Sequence, residues 1–359
     1  MTQQVSIIEQ ELSPNPKMSS PPITHLSPDF STPRTCLFHL KTLFLFTRSD
    51  FKTVMFPQTI FALSGIVSAA SLTERGALTM AQIAPRVPCM FLWIWVNLLV
   101  EDIANQRHES AIVEDGVNKP WRPLPSGRLS RREARNLMMA AMPAALALSL
   151  YLGAFQPSIC LMAFVYMYND LEGSSSDIWL RNVLNAAGLM CFSWGALSVL
   201  AKPEGWGPVK EGGGILAKTI LSATDGKLTE RAYVWILVTG AVITTTVHAQ
   251  DMPDVEGDAL RGRSTVPLKY GQAWARWSLA VMVLFWSAIC PTFFPAMPWY
   301  AWVAPTAIGL TMSVLSILNR GLRCDELVWK LWCLWVTTIY LLPVFSGTEA
   351  DAISGASAL

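Results

Sequence analysis

Charged residues are scarce in this chain, and their scarcity excludes an ordinary soluble domain. Of the 359 residues, 15% are Asp, Glu, Lys or Arg and 52% are hydrophobic, whereas soluble domains carry about 25% charged residues. The formal net charge is only +1, and no basic stretch interleaved with aromatic residues predicts binding to nucleic acid. The mean hydropathy of +0.36 instead indicates a protein that lies in a membrane.

Paired cysteines and a secretory leader are also missing from the sequence. The seven cysteines are scattered and no two have the spacing of metal ligands, so packing is their expected role. The N-terminus has no basic segment followed directly by an apolar one, so we expect no cleaved signal peptide. Residues 1–40 are polar and rich in proline and serine, which predicts a disordered tail, and residues 347–359 form a short C-terminal tail.

Long apolar blocks fill the rest of the chain. Most have the roughly 17–25 residues that a helix needs to cross a bilayer. They lie at about residues 51–73, 85–101, 134–154, 156–169, 178–200, 231–250, 274–291, 298–318 and 327–346. We therefore predict an all-α polytopic membrane protein, with about nine transmembrane helices in one domain at residues 41–346.

Lysine and arginine are concentrated in the loops on one side of the predicted membrane. The loops after the second and sixth blocks and before the ninth block are basic, while the opposite loops carry fewer such residues. The positive-inside rule places the basic loops and the N-terminus in the cytosol.

The segment 251-DMPDVEGDALRGRSTVPLKYG-271 follows a long apolar block and holds the most informative pattern. Asp251, Asp254 and Asp258 recur at helical spacings, which would place all three on one face of a helix. Carboxylates grouped in this way repel one another unless a cation lies between them. Their oxygens suit Mg²⁺, which binds through a few carboxylates and the phosphates of a substrate. A solvated acidic helix end is the alternative interpretation.

A second acidic segment, 97-NLLVEDIAN-105, ends the second apolar block. Asn97, Glu101 and Asn105 recur every four residues and so share a helix face, and Asp102 lies beside that face. An ionisable group such as Glu101 is costly at the end of an apolar run and is usually functional there. These residues could bind a second metal ion, or they could form a hydrated helix end.

A basic, proline-containing stretch follows each acidic segment. These stretches are 118-NKPWRPLPSGR-128 and 260-LRGRSTVPLKYG-271. Prolines make the first stretch rigid, and a guanidinium can bind phosphate with two hydrogen bonds. An acidic segment followed by a basic stretch occurs twice, and this pattern suits a diphosphate held through Mg²⁺. The first basic stretch could alternatively be only a positive-inside loop. The candidate diphosphate ligands are Arg122, Arg128, Arg181, Arg263, Lys269 and Tyr168.

The remaining polar positions near the cytosolic side divide into interior and surface candidates. Arg181 and Tyr168 lie in 166-YMYNDLEGSSSDIWLRN-182, which joins the fourth and fifth blocks. Arg181 begins an apolar helix, where contact with lipid would be costly, so it should face the bundle interior and find a partner there. Glu109 and Glu114, in the predicted loop after the first acidic segment, could support the metal ligands from behind, but a surface position is the favoured interpretation.

Two of these stretches resemble the motifs of a known family. The sequences 118-NKPWRPLPSG-127 and 251-DMPDVEGDALRGRSTVP-267 are similar to the Pro-rich loop and the second Asp-rich motif of the UbiA superfamily of intramembrane prenyltransferases. The resemblance covers roughly residues 40–346. It implies about nine membrane helices around a central, lipid-embedded cavity, and the Mg²⁺-dependent ionisation of a prenyl diphosphate.

The chain departs from the family pattern in its first half. The first motif, Asn-Asp-x-x-Asp-x-x-x-Asp in the family, is Asn97-Leu98-x-x-Glu101-x-x-x-Asn105 here. Where the family has Tyr-x-x-x-Lys, this chain has Tyr168 and Glu172, so glutamate replaces a lysine that faces the diphosphate. The second Asp-rich motif is kept. This combination resembles the fungal UbiA-type membrane terpene cyclases, which close the allylic cation on itself.

The resemblance leads to a specific hypothesis. The protein would be a Mg²⁺-dependent terpene cyclase in the endoplasmic reticulum membrane, with cytosolic active-site loops, no obligate protein partner, and farnesyl diphosphate favoured as substrate over geranylgeranyl diphosphate. The alternatives are a prenyltransferase with an aromatic acceptor, and a non-catalytic transporter or assembly factor. The catalytic and metal-binding candidates are Asp251, Asp254, Asp258, Asn97 and Glu101, with Asn105 and Asp102 as further metal ligands.

Overall fold

Helices make up the secondary structure of the described part of the chain. A computed structural model describes residues 34–68, 72–74, 78–202, 228–318 and 320–347. Within these residues there is no β-strand, only an isolated bridge between Thr73 and Leu228, so the predicted all-α class is confirmed. Residues 1–33 of the predicted disordered tail and residues 348–359 of the C-terminal tail fall outside the described residues, so those predictions stay predictions, whereas residues 36–40 of the predicted disordered tail are helical.

Fifteen α-helices, numbered α1 to α15, lie in the described residues. The first six are α1 (Cys36–Thr47), α2 (Phe56–Val67), α3 (Met80–Ile83), α4 (Val87–Gln106), α5 (Glu109–Asn118) and α6 (Arg131–Leu152). The central four are α7 (Phe155–Asn169), α8 (Gly173–Ser176), α9 (Ile178–Ala201) and α10 (Glu230–Thr246). The last five are α11 (Val255–Arg261), α12 (Val266–Tyr270), α13 (Gln272–Ile289), α14 (Val303–Leu318) and α15 (Leu322–Tyr340).

Seven of these helices, with their adjoining turns, are long and apolar enough to cross a membrane. They cover Val87–Gln106, Arg131–Leu152, Ile178–Ala201, Glu230–Gln250, Gln272–Phe293, Trp299–Leu318 and Leu322–Phe345. The two other predicted blocks, 51–73 and 156–169, contain α2 and α7, which have 12 and 15 residues. The predicted count of nine spans is therefore not confirmed, and the described residues contain 7 candidates by length and composition.

One helical segment with two changes of pitch connects α1 to α2. A 3₁₀ turn at Arg48–Asp50 and a π-helical turn at Phe51–Met55 lie between the two helices. Pro57 follows in the first turn of α2 and has no amide proton to donate to the π-helical turn before it. Because α1 begins at Cys36, the helical part of the chain starts before the predicted domain boundary at residue 41.

Helix α9 is the packing centre of the described helices. It contacts α2, α4, α7 and α10, and most of its side chains are buried. A Cβ at Gly195 would lie 1.9 Å from Cη2 of Trp93, and a Cβ at Gly240 would lie 2.2 Å from Sδ of Met190. Since lipid supplies little hydrophobic drive between membrane helices, close van der Waals contact at small residues holds them together. Gly195 therefore sets how closely α4 approaches α9, and Gly240 sets how closely α10 approaches α9.

Polar side chains also tie the apolar helices to one another. Arg276 on α13 donates hydrogen bonds of 2.7 and 2.9 Å to the carboxylate of Asp325 on α15. Trp93 on α4 donates a 2.9 Å hydrogen bond to Ser149 on α6. An unpaired polar group inside a membrane is costly, so these bonds determine which helix faces meet.

Candidate active site

The first acidic segment lies on one continuous helix, as predicted. Asn97, Glu101 and Asn105 all belong to α4, so their four-residue spacing places them on one face. Asn97 and Asp102 are buried, and Glu101 and Asn105 are partly buried. Gln106 donates a 3.1 Å hydrogen bond to one carboxylate oxygen of Asp102. Helix α4 is therefore a rigid support with four oxygen-bearing side chains near its C-terminal end.

A further acidic residue, Asp50, joins this group from the turn after α1. Its carboxylate is close enough to Glu101 and Asp102 to interact electrostatically with both, and it lies 3.7 Å from Nη2 of Arg122. Arg122 also donates hydrogen bonds of 2.8 and 3.0 Å to Asp115 on α5. The first half of the site thus has three carboxyl groups near one guanidinium, and a fourth, that of Glu101, near Asp50.

The second acidic segment is not a continuous helix, so the predicted shared face of its three aspartates is wrong. After a 3₁₀ turn ends α10, an irregular turn precedes α11. Pro253 lies in that turn, has no amide proton and disfavours helical geometry in the residue before it. The side chains of Asp251 and Asp258 are 1% exposed, whereas that of Asp254 is 31% exposed and 3.7 Å from Lys119 Nζ. The turn therefore separates Asp254 from the two buried aspartates.

Each buried aspartate of the second segment is paired with a buried arginine. Arg181, near the start of α9, donates a 2.7 Å hydrogen bond to Asp251, and its own side chain is 3% exposed. This confirms the prediction that Arg181 faces the interior and finds a partner there. Arg263 donates a 3.1 Å hydrogen bond to Asp258. Tyr168 lies within electrostatic range of both guanidiniums, so all five side chains form one cluster.

Glu114 holds Arg263 from the opposite side, so its predicted surface position is wrong. It is 5% exposed and accepts hydrogen bonds of 2.8 Å from Arg261 and 2.9 Å from Arg263. The stretch predicted as a loop is helix α5, which packs against α11 and buries this glutamate between them. Glu109, at the start of the same helix, is exposed as predicted.

Two glycines permit this arrangement of α5 and α11. Gly262 ends α11 with a φ of +73°, and the amide of Arg263 then donates a 2.9 Å hydrogen bond back to the carbonyl of Asp258. A Cβ at Gly257 would lie 2.2 Å from Nδ2 of Asn118, so a larger residue would push the two helices apart. The local sequence therefore brings Arg263 beside Asp258 and brings both to α5.

Helix α5 connects the two halves of the site. Its adjacent residues Glu114 and Asp115 pair with arginines of different halves, because Glu114 contacts Arg261 and Arg263 while Asp115 contacts Arg122. A chain of ion pairs therefore runs from the neighbourhood of the first acidic segment to that of the second.

Burial raises the pKa of both interior aspartates of the second segment above the usual range. For Asp251 and Asp258, the loss of water outweighs the opposing effect of Arg181. Opposite charge nearby favours the ionised form of a carboxyl group. A further cation at the site would therefore favour the ionised form of both groups.

The adjacent carboxyl groups of α5 titrate in opposite directions. Burial raises the pKa of Asp115 by more than Arg122 lowers it. Burial also acts to raise the pKa of Glu114, but Arg263 and Arg261 together outweigh it, and the pKa falls below the usual range. Two guanidiniums thus lower the pKa of Glu114, whereas the one beside Asp115 does not offset the effect of burial on its pKa.

The oxygen atoms left without partners at the site suit Mg²⁺. Carboxylate and amide oxygens are the hard ligands that this ion takes, usually with one or two carboxylates and the rest from water and substrate phosphate. No group of three His, Cys, Asp or Glu side chains in the described residues could hold a metal ion by itself. Among the same residues, the buried side-chain oxygens that accept no hydrogen bond include one each from Asn97, Glu101, Asp102, Asn105, Asp251 and Asp258. The donor set therefore fits an ion that shares its shell with amide oxygens and a bound diphosphate.

The predicted diphosphate ligands divide into two groups. Arg122, Arg181 and Arg263 are largely buried at the site, and the Nε of each is a donor with no acceptor among the described residues. Arg128 makes its hydrogen bonds to α1, and Lys269 is exposed. In the part of the chain that the structure describes, neither Arg128 nor Lys269 forms an ion pair with a candidate metal ligand.

Similarity to known proteins supports the resemblance to the UbiA superfamily that the two motifs indicated. Residues 62–334 match the profile of the UbiA prenyltransferase family. The chain belongs to this family. Fumagillin beta-trans-bergamotene synthase of Aspergillus fumigatus is 29% identical over 85% of this chain and 92% of that protein. Somaliensene A/B synthase of Streptomyces somaliensis is 30% identical over 85% of this chain and 92% of that protein.

A solved structure shows the same UbiA fold. The structure of a UbiA homolog from Archaeoglobus fulgidus bound to GPP and Mg²⁺ covers 84% of this chain and 99% of its own, with a TM-score of 0.53 at 13% identity. Family and fold together make the chain an integral membrane protein of the UbiA type. The two named relatives are UbiA-type terpene synthases, so the predicted resemblance to this branch is confirmed.

Sequence reasoning missed Asp50 and Glu114 as members of this UbiA-type site. Asp50 directly precedes one apolar block and Glu101 ends another, and this position at the edge of a block was the available signal. Glu114 had no such signal, because only the packing of α5 against α11 brings it to Arg261 and Arg263.

Proposed function

We propose that the protein is a Mg²⁺-dependent membrane terpene cyclase. It ionises a prenyl diphosphate, with farnesyl diphosphate favoured over geranylgeranyl diphosphate, and closes the allylic cation into a cyclic hydrocarbon. The observation that carries this proposal is the set of three buried arginines, Arg122, Arg181 and Arg263, whose Nε donors have no acceptor among the described residues. The relatives named as synthases of bergamotene and somaliensene support cyclisation over transfer.

The arginines are prepared to receive a multiply charged anion. Arg181 and Arg263 each hold a carboxylate through Nη1 and keep Nε free, so each can bind a phosphate oxygen without releasing its aspartate. Asp251 and Asp258 fix the two guanidiniums in place before the substrate arrives. Asn97, Glu101, Asp251 and Asp258 would hold Mg²⁺, which supplies positive charge to the phosphate oxygens when it is bound.

Ionisation breaks the bond between the allylic carbon and the diphosphate oxygen. The electron pair leaves with the oxygen, and the positive charge stays on the allylic carbon. Negative charge grows on the diphosphate as the bond lengthens, so cations that are already in position lower the barrier. Arg181 and Arg263 are these cations in the proposal. The hydroxyl of Tyr168, which is within electrostatic range of both guanidiniums, would donate a hydrogen bond to the same diphosphate.

Cyclisation requires an interior that excludes water. The core beneath the site is apolar and rich in aromatic rings, including Trp93 with Phe192 at 6.2 Å and Trp235 with Phe294 at 4.8 Å between centroids. Aromatic faces attract cations, and a dry site protects the cation from water. A double bond of the same prenyl group attacks the cation and forms a carbon–carbon bond. Loss of a proton from the cyclised cation then gives the hydrocarbon product.

The position of the site supports a cytosolic orientation. Basic residues cluster at the end of the bundle that carries the acidic segments, including Lys119, Arg122 and Arg261, and such loops usually stay in the cytosol. We place the protein in the endoplasmic reticulum membrane, with the bilayer and a prenyl diphosphate as its partners and no obligate protein partner.

A UbiA-type prenyltransferase is the second candidate. The family description favours it, and Tyr168 beside two arginines offers a polar position next to the cation where an aromatic acceptor could bind. Both reactions begin with the same ionisation, so only the fate of the cation separates them. Hydrocarbon formed without any acceptor would exclude transfer as the required reaction.

The test uses microsomes that contain the full chain, Mg²⁺ and either farnesyl or geranylgeranyl diphosphate, with no acceptor. We expect a cyclic hydrocarbon, detected by gas chromatography with mass spectrometry, that disappears with EDTA and in Asp258→Asn. Glu326→Gln is the matched control, because Glu326 is exposed and pairs only with Lys330 in the described residues. Intact diphosphate in membranes that hold folded protein would contradict the cyclase and would direct the search to aromatic acceptors.

A further inference from the structure

A pocket lined by four arginines lies outside the proposed catalytic residues. Arg107, Arg131, Arg132 and Arg135 surround a cavity of about 250 Å³. Arg107 caps the C-terminal end of α4, and the other three occupy the first turns of α6. The pocket therefore lies where two membrane helices meet the aqueous boundary on the basic side of the protein.

Acidic neighbours balance only half of the positive charge in this pocket. Arg107 pairs with Asp170, and Arg131 pairs with Glu109 at 3.0 Å in a pair that is largely exposed. Arg132 and Arg135 form no ion pair within the described ranges of the chain. Two guanidiniums around the cavity are thus available to an anion from outside.

The start of α6 adds to this positive charge. The N-terminal end of a helix carries a partial positive charge and favours acidic rather than basic side chains. The acidic residue of the first turn, Glu133, is already bonded to Ser130 in a capping box and to Arg34. Basic residues at this end of a helix are therefore unfavourable unless an anion is bound beside them.

An apolar face continues from the pocket along α6. Arg132 and Arg135 lie on the same helix face as Met139, Pro143 and Ala147, all of which are exposed. Helix α6 packs on α4 and α7 with its other side, and only 22% of its span is buried, less than in any other candidate span of the described residues. In the bilayer this face contacts acyl chains.

We propose that the arginine pocket binds the phosphate of an anionic phospholipid whose acyl chains lie along the exposed face of α6. Phosphate oxygens accept paired hydrogen bonds from guanidinium groups, and the unbalanced charge of Arg132 and Arg135 selects an anionic lipid over a zwitterionic one. A soluble phosphate would use the arginines but not the apolar face, so the continuity of the two features favours the lipid. The site does not depend on the identity of the reaction.

The test compares lipid binding by the purified full chain in detergent, measured by native mass spectrometry with phosphatidic acid and phosphatidylcholine. The wild type should retain phosphatidic acid in preference to phosphatidylcholine. Arg132→Gln with Arg135→Gln should weaken phosphatidic acid binding about 30-fold, as the loss of two basic residues at a membrane surface predicts. The control is Arg320→Gln with Arg323→Gln, which removes the same charge from exposed positions elsewhere, and it should retain wild-type binding.

Further arms of the same experiment distinguish the source of the phosphate. Millimolar inorganic phosphate or pyrophosphate should not displace the lipid; full displacement would show a soluble-anion site and overturn the proposal. Equal binding of phosphatidic acid by the wild type and the Arg132 and Arg135 variant would also overturn it. A dimer that buries the exposed face of α6, detected in the same spectra, would replace the lipid with a second copy of the chain.

Discussion

The two acidic segments of the site contain similar side chains but have opposite charge balance. Around the first segment, the guanidinium of Arg122 lies near the carboxyl groups of Asp50, Asp102 and Asp115, and the carboxyl group of Glu101 lies near Asp50 and Asp102. Around the second segment, three carboxyl groups meet three guanidiniums. They are Asp251, Asp258 and Glu114 with Arg181, Arg261 and Arg263.

This difference assigns different tasks to the two halves in the proposed reaction. An excess of buried carboxyl groups must be neutralised by protons or by a cation from outside, so the first half should depend most on Mg²⁺. The second half already contains its cations, each held by a carboxylate, and is prepared for an anion. Substitutions in the two halves should therefore change different kinetic quantities.

The largest effect should follow the loss of a buried aspartate in the second half. Asp251→Asn and Asp258→Asn each remove the carboxylate that positions an arginine, and turnover should fall by about 100-fold or more. Asp254→Asn should lower turnover by less than about tenfold, because Asp254 is partly exposed and paired with Lys119. Initial rates of hydrocarbon formation measure both.

Glu326→Gln controls for expression and folding in that comparison. If Asp254→Asn is as inactive as Asp258→Asn while both remain folded, the three aspartates act as one equivalent set. The separation of Asp254 from the buried pair would then be without functional meaning.

A smaller effect, on the metal requirement, should distinguish the first half from the second. Glu101→Gln should raise the Mg²⁺ concentration for half-maximal activity by about tenfold or more, because loss of even an outer-shell partner of a metal site typically weakens metal binding by about that factor and Glu101 is a proposed ligand. Arg263→Gln should lower turnover without changing the Mg²⁺ requirement, because it removes a cation near the diphosphate. Mg²⁺ titrations of activity for both variants test this prediction. Equal shifts of the half-maximal Mg²⁺ concentration in the two variants would show that the two halves do not differ in their dependence on Mg²⁺.

Glu114 should affect stability as well as activity. Glu114→Gln leaves Arg261 without a charged partner among the described residues and leaves Arg263 paired only with Asp258, which should destabilise the protein by about 1–3 kcal/mol. The pKa of Glu114 is lowered in the folded protein, so its contribution is present above the ordinary glutamate pKa and is lost as pH falls through the lower folded value. Thermal unfolding in detergent should show a smaller loss of Tm on acidification for the variant than for the wild type.

The exposed Glu109→Gln is the control for this prediction, because Glu109 lies on the same helix and forms a surface pair with Arg131. This variant should change the free energy of unfolding by less than about 1 kcal/mol. Identical behaviour of the two variants would contradict a bridging role for Glu114.

The smallest effects should come from the two basic residues outside the cluster. Lys269→Gln and Arg128→Gln should each change turnover by less than about threefold, since neither residue contacts a buried carboxylate of the site and exposed charges contribute little. Arg128→Gln should also lower Tm, because its guanidinium bonds to Thr42 and lies 4.2 Å from the ring of Phe38. A loss of activity in Arg128→Gln with unchanged Tm would restore its predicted role as a diphosphate ligand.

Local patterns in the sequence predicted the fold class and one half of the site well. The spacing of Asn97, Glu101 and Asn105 indicated a shared helix face because their segment is free of proline and glycine. Arg181 at the start of an apolar helix had to find an interior partner, and it pairs with Asp251. Both inferences depend on one helix at a time, which is where periodicity is reliable.

Other features could not be predicted because they depend on contacts between distant segments. Asp50 meets Asp102, and Glu114 meets Arg263, only after separate helices have packed. Pro253 was visible in the sequence, but the pattern of aspartates outweighed it, although proline disfavours a continuous helix through Asp254. Nine apolar blocks gave 7 candidate spans in the described residues because α2 is shorter than block 51–73, and because block 156–169, which α7 covers completely, is itself too short for a span.

The central claim is that the allylic cation formed at this site reacts with a double bond of the same prenyl substrate molecule. The direct measurement is the stoichiometry of diphosphate released to cyclic hydrocarbon formed, in proteoliposomes supplied with Mg²⁺ and farnesyl or geranylgeranyl diphosphate and no acceptor. One cyclic hydrocarbon for each diphosphate released is the predicted result. Diphosphate release that yields only linear alcohol, or that starts only when an aromatic acceptor is added, would contradict the cyclase.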